Sequence, residues 1–76
     1  MTIEELIGQI IGTMPGHGWE NIKTVNGDQN RTLGVLFNGS PNDLPFPTPG
    51  WNRSGIYPDP THERQWAMTF TKNNQT

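Results

Sequence analysis

Cysteine is missing from the 76 residues of this chain, so no disulfide can staple the fold and no thiolate can serve as nucleophile or metal ligand. Charge is sparse as well. Five Lys and Arg stand against seven Asp and Glu, a formal net charge of -2. The cations Lys23, Arg31, Arg53, Arg64 and Lys72 are scattered singly, so no basic run offers a face to a phosphate backbone. Long apolar runs are also lacking, since none approaches the ~20 residues needed to cross a bilayer. Glu4 and Glu5 stand where a secretory signal would carry positive charge. A cytoplasmic location with no membrane partner is the resulting expectation.

Hydrophobic residues make up only 30% of the chain. Leu, Ile, Val and Phe together are roughly 20%, close to the composition of disordered chains, but the small net charge lacks the self-repulsion that usually goes with it. A folded domain of this size buries only about 60% of the surface its unfolded chain exposes. The composition therefore predicts one domain over 1–76 with a thin core, helped by self-association or by a larger partner.

Groups with catalytic chemistry are few. Neither Ser40 nor Ser54 sits in a nucleophile elbow, and no glycine-rich loop ends in lysine. The two histidines, His17 and His62, could act as general acid and base beside Arg53 or Arg64, but nothing in their spacing brings them together. Asp59, His62 and Glu63 lack the second histidine, four residues from the first, that a one-turn metal site needs. The expectation is a protein that is not an enzyme and holds neither metal nor cofactor.

What the chain does contain is a clear helical pattern at its start. Ile3, Leu6, Ile7, Ile10, Ile11 and Met14 recur at helical spacing and fall on an arc of about 140° at 100° per residue. Thr2 and Glu5 fit a capping box, Glu4 and Glu5 suit the positive end of the helix dipole, and Pro15-Gly16 stops the run. The helix is predicted over about 2–14. Gly8 and Gly12 lie together on its flank, each about 1 kcal/mol worse than alanine in a helix interior. They suggest close approach, either to the protein's own sheet or across a dimer contact.

Extended segments follow. Strands are expected at about 19–25, 31–38 and 65–72, the first two joined by a turn over Asn26 to Asn30 whose Asn-Gly pair tolerates positive φ. Leu33, Val35 and Phe37 alternate with Thr32, Gly34, Leu36 and Asn38, and Trp66, Met68 and Phe70 alternate with Ala67, Thr69 and Thr71. The fold class is α+β: one N-terminal amphipathic helix packed on an antiparallel sheet of three or four strands.

Between the last two strands lies a long loop, 39–64, that holds six of the seven prolines. Leu44, Phe46, Trp51, Ile56 and Tyr57 make it unlike a linker, because exposed aromatics need a core to join or a ligand to meet. Asp59-Pro60 can open a single helical turn through Arg64. Pro45, Pro47 and Pro49 are two apart, whereas polyproline recognition wants them three apart.

These features favour a small non-catalytic protein that associates stoichiometrically with a partner macromolecule, as an inhibitor or adaptor does. Proteins of that kind carried by phages and other mobile elements are commonly this small. The expected binding residues are Phe46, Trp51, Arg53, Tyr57 and Arg64, with Gly8 and Gly12 as a possible dimer contact. One alternative is a nucleotide-like small ligand held by an aromatic and arginine pocket at a subunit interface. Another is a single-stranded nucleic-acid module stacking bases on Tyr57 and Trp66 between Arg53 and Arg64.

Overall fold

The computed structural model describes residues 1–61 and 64–73. The chain opens with α1 (Ile3–Thr13), continues through a 3-10 turn at Met14–His17, and then forms five strands: β1 (Trp19–Asn26), β2 (Thr32–Gly39), β3 (Trp51–Arg53), β4 (Tyr57–Pro58) and β5 (Trp66–Lys72). This is the α+β arrangement that the pattern predicts, with a helix on one face of an antiparallel sheet.

The ends of α1 follow from local chemistry. Thr2 Oγ1 accepts from the Glu5 amide at 3.1 Å while Glu5 Oε1 accepts from the Thr2 amide at 2.8 Å. This pairing holds the Glu5 carboxyl below its ordinary value, mainly through the bond from the Thr2 backbone and secondly through the Thr2 side chain. Pro15 turns the chain into the 3-10 segment, and Gly18 closes it at φ 95°, a left-handed conformation that glycine adopts without strain. No helix among the described residues is long and apolar enough to cross a membrane.

The sheet runs in the order β1-β2-β5-β3, and β4 pairs with β5 beside β3. In β2 alternation is strict: Leu33, Val35 and Phe37 are buried and the intervening residues half-buried. Opposite them on β5 stand Phe70, Met68 and Trp66. Ile3, Leu6, Ile10 and Met14 of the helical segment complete the core, with Ile7 and Trp66 packed against it. Trp19 stacks on Phe37 with ring centroids 3.6 Å apart and planes 4° from parallel.

Three details differ from expectation. The segment 39–64 is not a loop throughout, because Trp51–Arg53 and Tyr57–Pro58 pair antiparallel with β5 and raise the strand count to five. Runs of three and two residues are too short to carry a readable period, and Pro58 is tolerated because a sheet edge needs no donor from it. In the β1-β2 turn, Gly27 is extended at φ -86° and the positive φ angles fall on Gln29 and Asn30 instead. Gly27 is needed for another reason, since a Cβ there would overlap Thr32 Oγ1. Finally, Ile11 belongs to the apolar arc by sequence but is 52% exposed, being at the edge of the face that the sheet covers.

Candidate interaction surfaces

The long segment supplies most of what the thin core lacked. Leu44 and Trp51 are buried, and Phe46 and Ile56 pack against the core cluster. The three tryptophans hold the chain around them through their indole N–H groups, which donate to backbone carbonyls. Trp19 Nε1 donates to Asn42 O at 2.9 Å, Trp51 Nε1 to Met1 O at 2.9 Å, and Trp66 Nε1 to Gly39 O at 3.1 Å. A buried indole with its one donor satisfied is a structural element first.

The five residues expected to bind together are therefore divided. Trp51 points into the core and Phe46 is half-buried against it, so neither is displayed as a contact surface. Trp51 was expected outward because period-based reading cannot tell an aromatic on a short edge strand from one on a loop tip, and Phe46 because it stands among prolines outside any strand. Arg53, Tyr57 and Arg64 are exposed. Arg53 and Tyr57 stand at either end of the three-residue connection between β3 and β4, on one edge of the sheet. Arg64 lies beyond β4 at φ 68°, with its carbonyl accepting from Asn38 Nδ2 at 3.0 Å.

Next to that edge is an open groove of about 400 Å³ lined by Pro41, Asp43, Arg53, Ser54, Gly55 and Ile56. Arg53 Nη1 lies 3.9 Å from Asp43 Oδ1, a loose surface pair of little worth to stability. Asp43 Oδ1 also accepts from the Leu44 amide at 2.8 Å, which fixes the carboxylate at the groove wall. Ser54 Oγ accepts from the Thr69 amide and donates to the Gly55 carbonyl, both at 2.9 Å, so its hydroxyl is committed to holding the β3-β4 connection against β5.

The stacking platform expected for nucleic acid is not gathered in one place. Trp66 pairs with Phe37 on the helix side, whereas Tyr57, directly opposite Ala67, stands on the other side and shares a hydrogen bond between its hydroxyl and Thr69 Oγ1 at 3.0 Å. His17 is exposed at the end of the 3-10 turn. Its proposed partner His62 lies outside the described residues, as do Glu63 of the one-turn metal reading and part of the 59–64 turn. Asp59 Oδ1 accepts from the Thr61 amide at 3.0 Å and the Thr61 hydroxyl at 2.9 Å, and the helical turn expected to follow runs through residues outside those described.

A second surface is the sheet face turned away from α1, on which register places Glu20 and Asn38 at one end and then three further rows of residues. Lys23, Leu36, Ala67 and Tyr57 form one row, Val25, Gly34 and Thr69 the next, and Thr32, Thr71 and Asn52 the third. Val25 is 60% exposed and Tyr57 42%. The alternation in β2 already separated this face from the core face, and the overlooked signal was a glycine amid strand-forming residues. The glycines of α1 form a third surface: a Cβ at Gly8 or Gly12 would meet nothing within 4 Å, so close packing on the protein's own sheet does not explain them.

Comparison with protein-family models, with curated proteins and with solved structures gave no match.

Proposed function

We propose that the protein is a non-catalytic binding protein that works by stoichiometric association with a partner macromolecule, in the manner of an inhibitor or adaptor. The observation that supports this reading is the exposed Arg53 on the wall of the open groove with Asp43 and Ile56, with Tyr57 exposed at the same sheet edge on the opposite face. Arginine and tyrosine are enriched at the energetic centres of interfaces, and a groove beside them lets a partner side chain insert. Arg53 is held only loosely by Asp43, so its planar fork of donors is open to a carboxylate of the partner. A cysteine-free chain suits a reducing compartment, and a cytoplasmic setting is part of the proposal.

The test is quantitative capture by the purified chain from its native host, comparing the wild type with Arg53→Glu and Tyr57→Asp variants. A partner recovered in near-equimolar amount by the wild type, and lost with either variant while the melting temperature stays put, supports the reading. Equal capture by all three sinks it.

The small-ligand alternative draws on the same groove, whose volume falls within the range of about 300–1,000 Å³ usual for ligand sites. Among the described residues its lining contains no aromatic ring, and Trp51 of the expected binding residues is buried. A nucleotide panel screened by thermal shift separates the two readings, because a ligand that binds the folded state raises its melting temperature.

A further inference from the structure

Glycine inside a strand weakens it, because its backbone loses more freedom on folding and no side chain packs on its neighbours. Gly34 sits in β2, a strand paired on both sides, with Val25 opposite on β1 and Thr69 on β5. Its φ is not in the left-handed region, and a Cβ there would meet only Val25 O at 3.9 Å. Among the described residues nothing requires glycine at 34. Two residues on, Leu36 stands on the same face of the same strand, half-buried.

A projecting residue two positions from a hole makes the face complementary to itself. We infer that the open face of the sheet is a self-association surface on which two copies pack face to face, Leu36 of each filling the hole over Gly34 of the other. The two-fold axis runs across the strands, between the row of Leu36 and the row of Gly34. The same rotation sets the Lys23 stem beside the exposed Val25. Charge fits as well. Among the residues of β1, β2 and β5 on this face only Glu20 and Lys23 are charged, one of each sign, both on the edge strand β1. Two copies thus bring equal numbers of each to the solvated rim and bury neither at the centre.

Size sets the strength. Four strands about 4.8 Å apart and three row spacings of about 6.7 Å make a face of roughly 400 Å². That is below the ~800 Å² per partner of standard interfaces, so the dimer is weak and dissociates on dilution. The inference rests on the reading of this protein as one that works by association; the two surfaces meet at Tyr57, and Arg53 belongs to the edge alone.

Sedimentation over a dilution series tests it. The wild type is expected to be dimeric near ~1 mM and monomeric at low micromolar concentration. Gly34→Val fills the hole with a strand-favouring side chain, and should weaken the dimer at least ~10-fold with the melting temperature unchanged or raised. Val25→Glu should weaken it similarly, and serves if Gly34→Val fails to fold. A wild type that stays monomeric throughout overturns the inference, as does a dimer that neither variant weakens or one that Gly8→Leu breaks instead. Arg53→Glu keeps the two readings apart: it should leave the dimer intact while removing partner capture. Capture that survives Arg53→Glu sinks the edge reading alone, and a dimer that survives Gly34→Val and Val25→Glu sinks this one alone.

Discussion

On the helix side of the sheet, Leu33, Val35 and Phe37 of β2 are buried, while Thr32, Gly34, Leu36 and Asn38 on the opposite side of the same strand are half-buried. Composition follows the solvent each face meets. The helix side is built of large apolar residues that interlock with Ile3, Leu6, Ile10 and Met14, and on the open side β2 and β5 carry threonine, glycine, asparagine, one leucine and one alanine, with Tyr57 of β4 beside them. The first face is determined by the need to exclude water. The second is free of that need, so its departures from good strand formers call for another cause.

The sharpest way to break this comparison is to truncate one residue from each side. Phe37→Ala removes a buried ring stacked on Trp19 and should lower stability by about 3–5 kcal/mol, much of the total for a domain this small. Trp51→Ala should fall in the same class, since its indole is buried and tethered to Met1 O. Val25→Ala on the open side should change stability by less than ~0.5 kcal/mol. Urea denaturation of the three variants checks the ranking. A Trp51→Ala variant that unfolds cooperatively at the wild-type midpoint would return Trp51 to the binding surface.

Glycines sharpen the comparison because their effects differ in sign. Gly39 has φ 97°, and a Cβ would overlap the Gly18 carbonyl oxygen. Gly39→Ala should therefore destabilise by about 1–3 kcal/mol. Gly34→Ala meets only Val25 O, at 3.9 Å, and should stabilise by roughly 0.5–1 kcal/mol. If both variants melt lower, the open face is constrained by the fold itself and the case for an outside contact at Gly34 fails.

Legibility in the sequence followed element length. The helix could be read because six apolar positions repeat over three turns and Thr2, Glu5 and Pro15 mark its ends. The β2 and β5 strands could be read because at least three alternations survive in each. The short strands β3 and β4 could not, as two or three residues carry no period. With them went the orientation of Trp51, which depends on pairing with β5 and on contact with Met1 rather than on any neighbour in sequence; Phe46, in the connection before β3, packs against the core cluster. Of the expected binding residues, Arg53, Tyr57 and Arg64 remain displayed, since charge and a phenolic hydroxyl keep such side chains near water whatever the local backbone does.

Smaller effects belong to the helix that covers the inner face. Thr2→Ala removes the cap oxygen that accepts from the Glu5 amide and should lower stability by about 1 kcal/mol. The partner half of the box gives a pH signature. Because folding lowers the Glu5 pKa, its contribution is present above the ordinary carboxylate value and is lost as pH falls through the lower folded value. Glu5→Gln should therefore flatten the acid limb of a stability-against-pH curve, with a small amplitude because the group is fully exposed. A wild-type curve no steeper than that of Glu5→Gln below the usual carboxylate range would show that the charge adds nothing to the cap.

The last comparison sets the outer flank of α1 against the open face of the sheet, two surfaces where a helix or strand carries glycine that no close contact among the described residues requires. Alanine at 8 or 12 meets nothing within 4 Å, so Gly8→Ala and Gly12→Ala should each stabilise by up to ~1 kcal/mol. If both raise the melting temperature and leave the dilution-dependent dimer unchanged, the helix glycines serve neither core nor contact, and Gly34 is the glycine that association explains. If they raise the melting temperature and the dimer disappears, the glycines of α1 mark where a second backbone approaches, with the exposed Ile11 beside them as its apolar anchor. The contact then belongs to the helix flank, and the hole beside Leu36 is only a weak point in a strand.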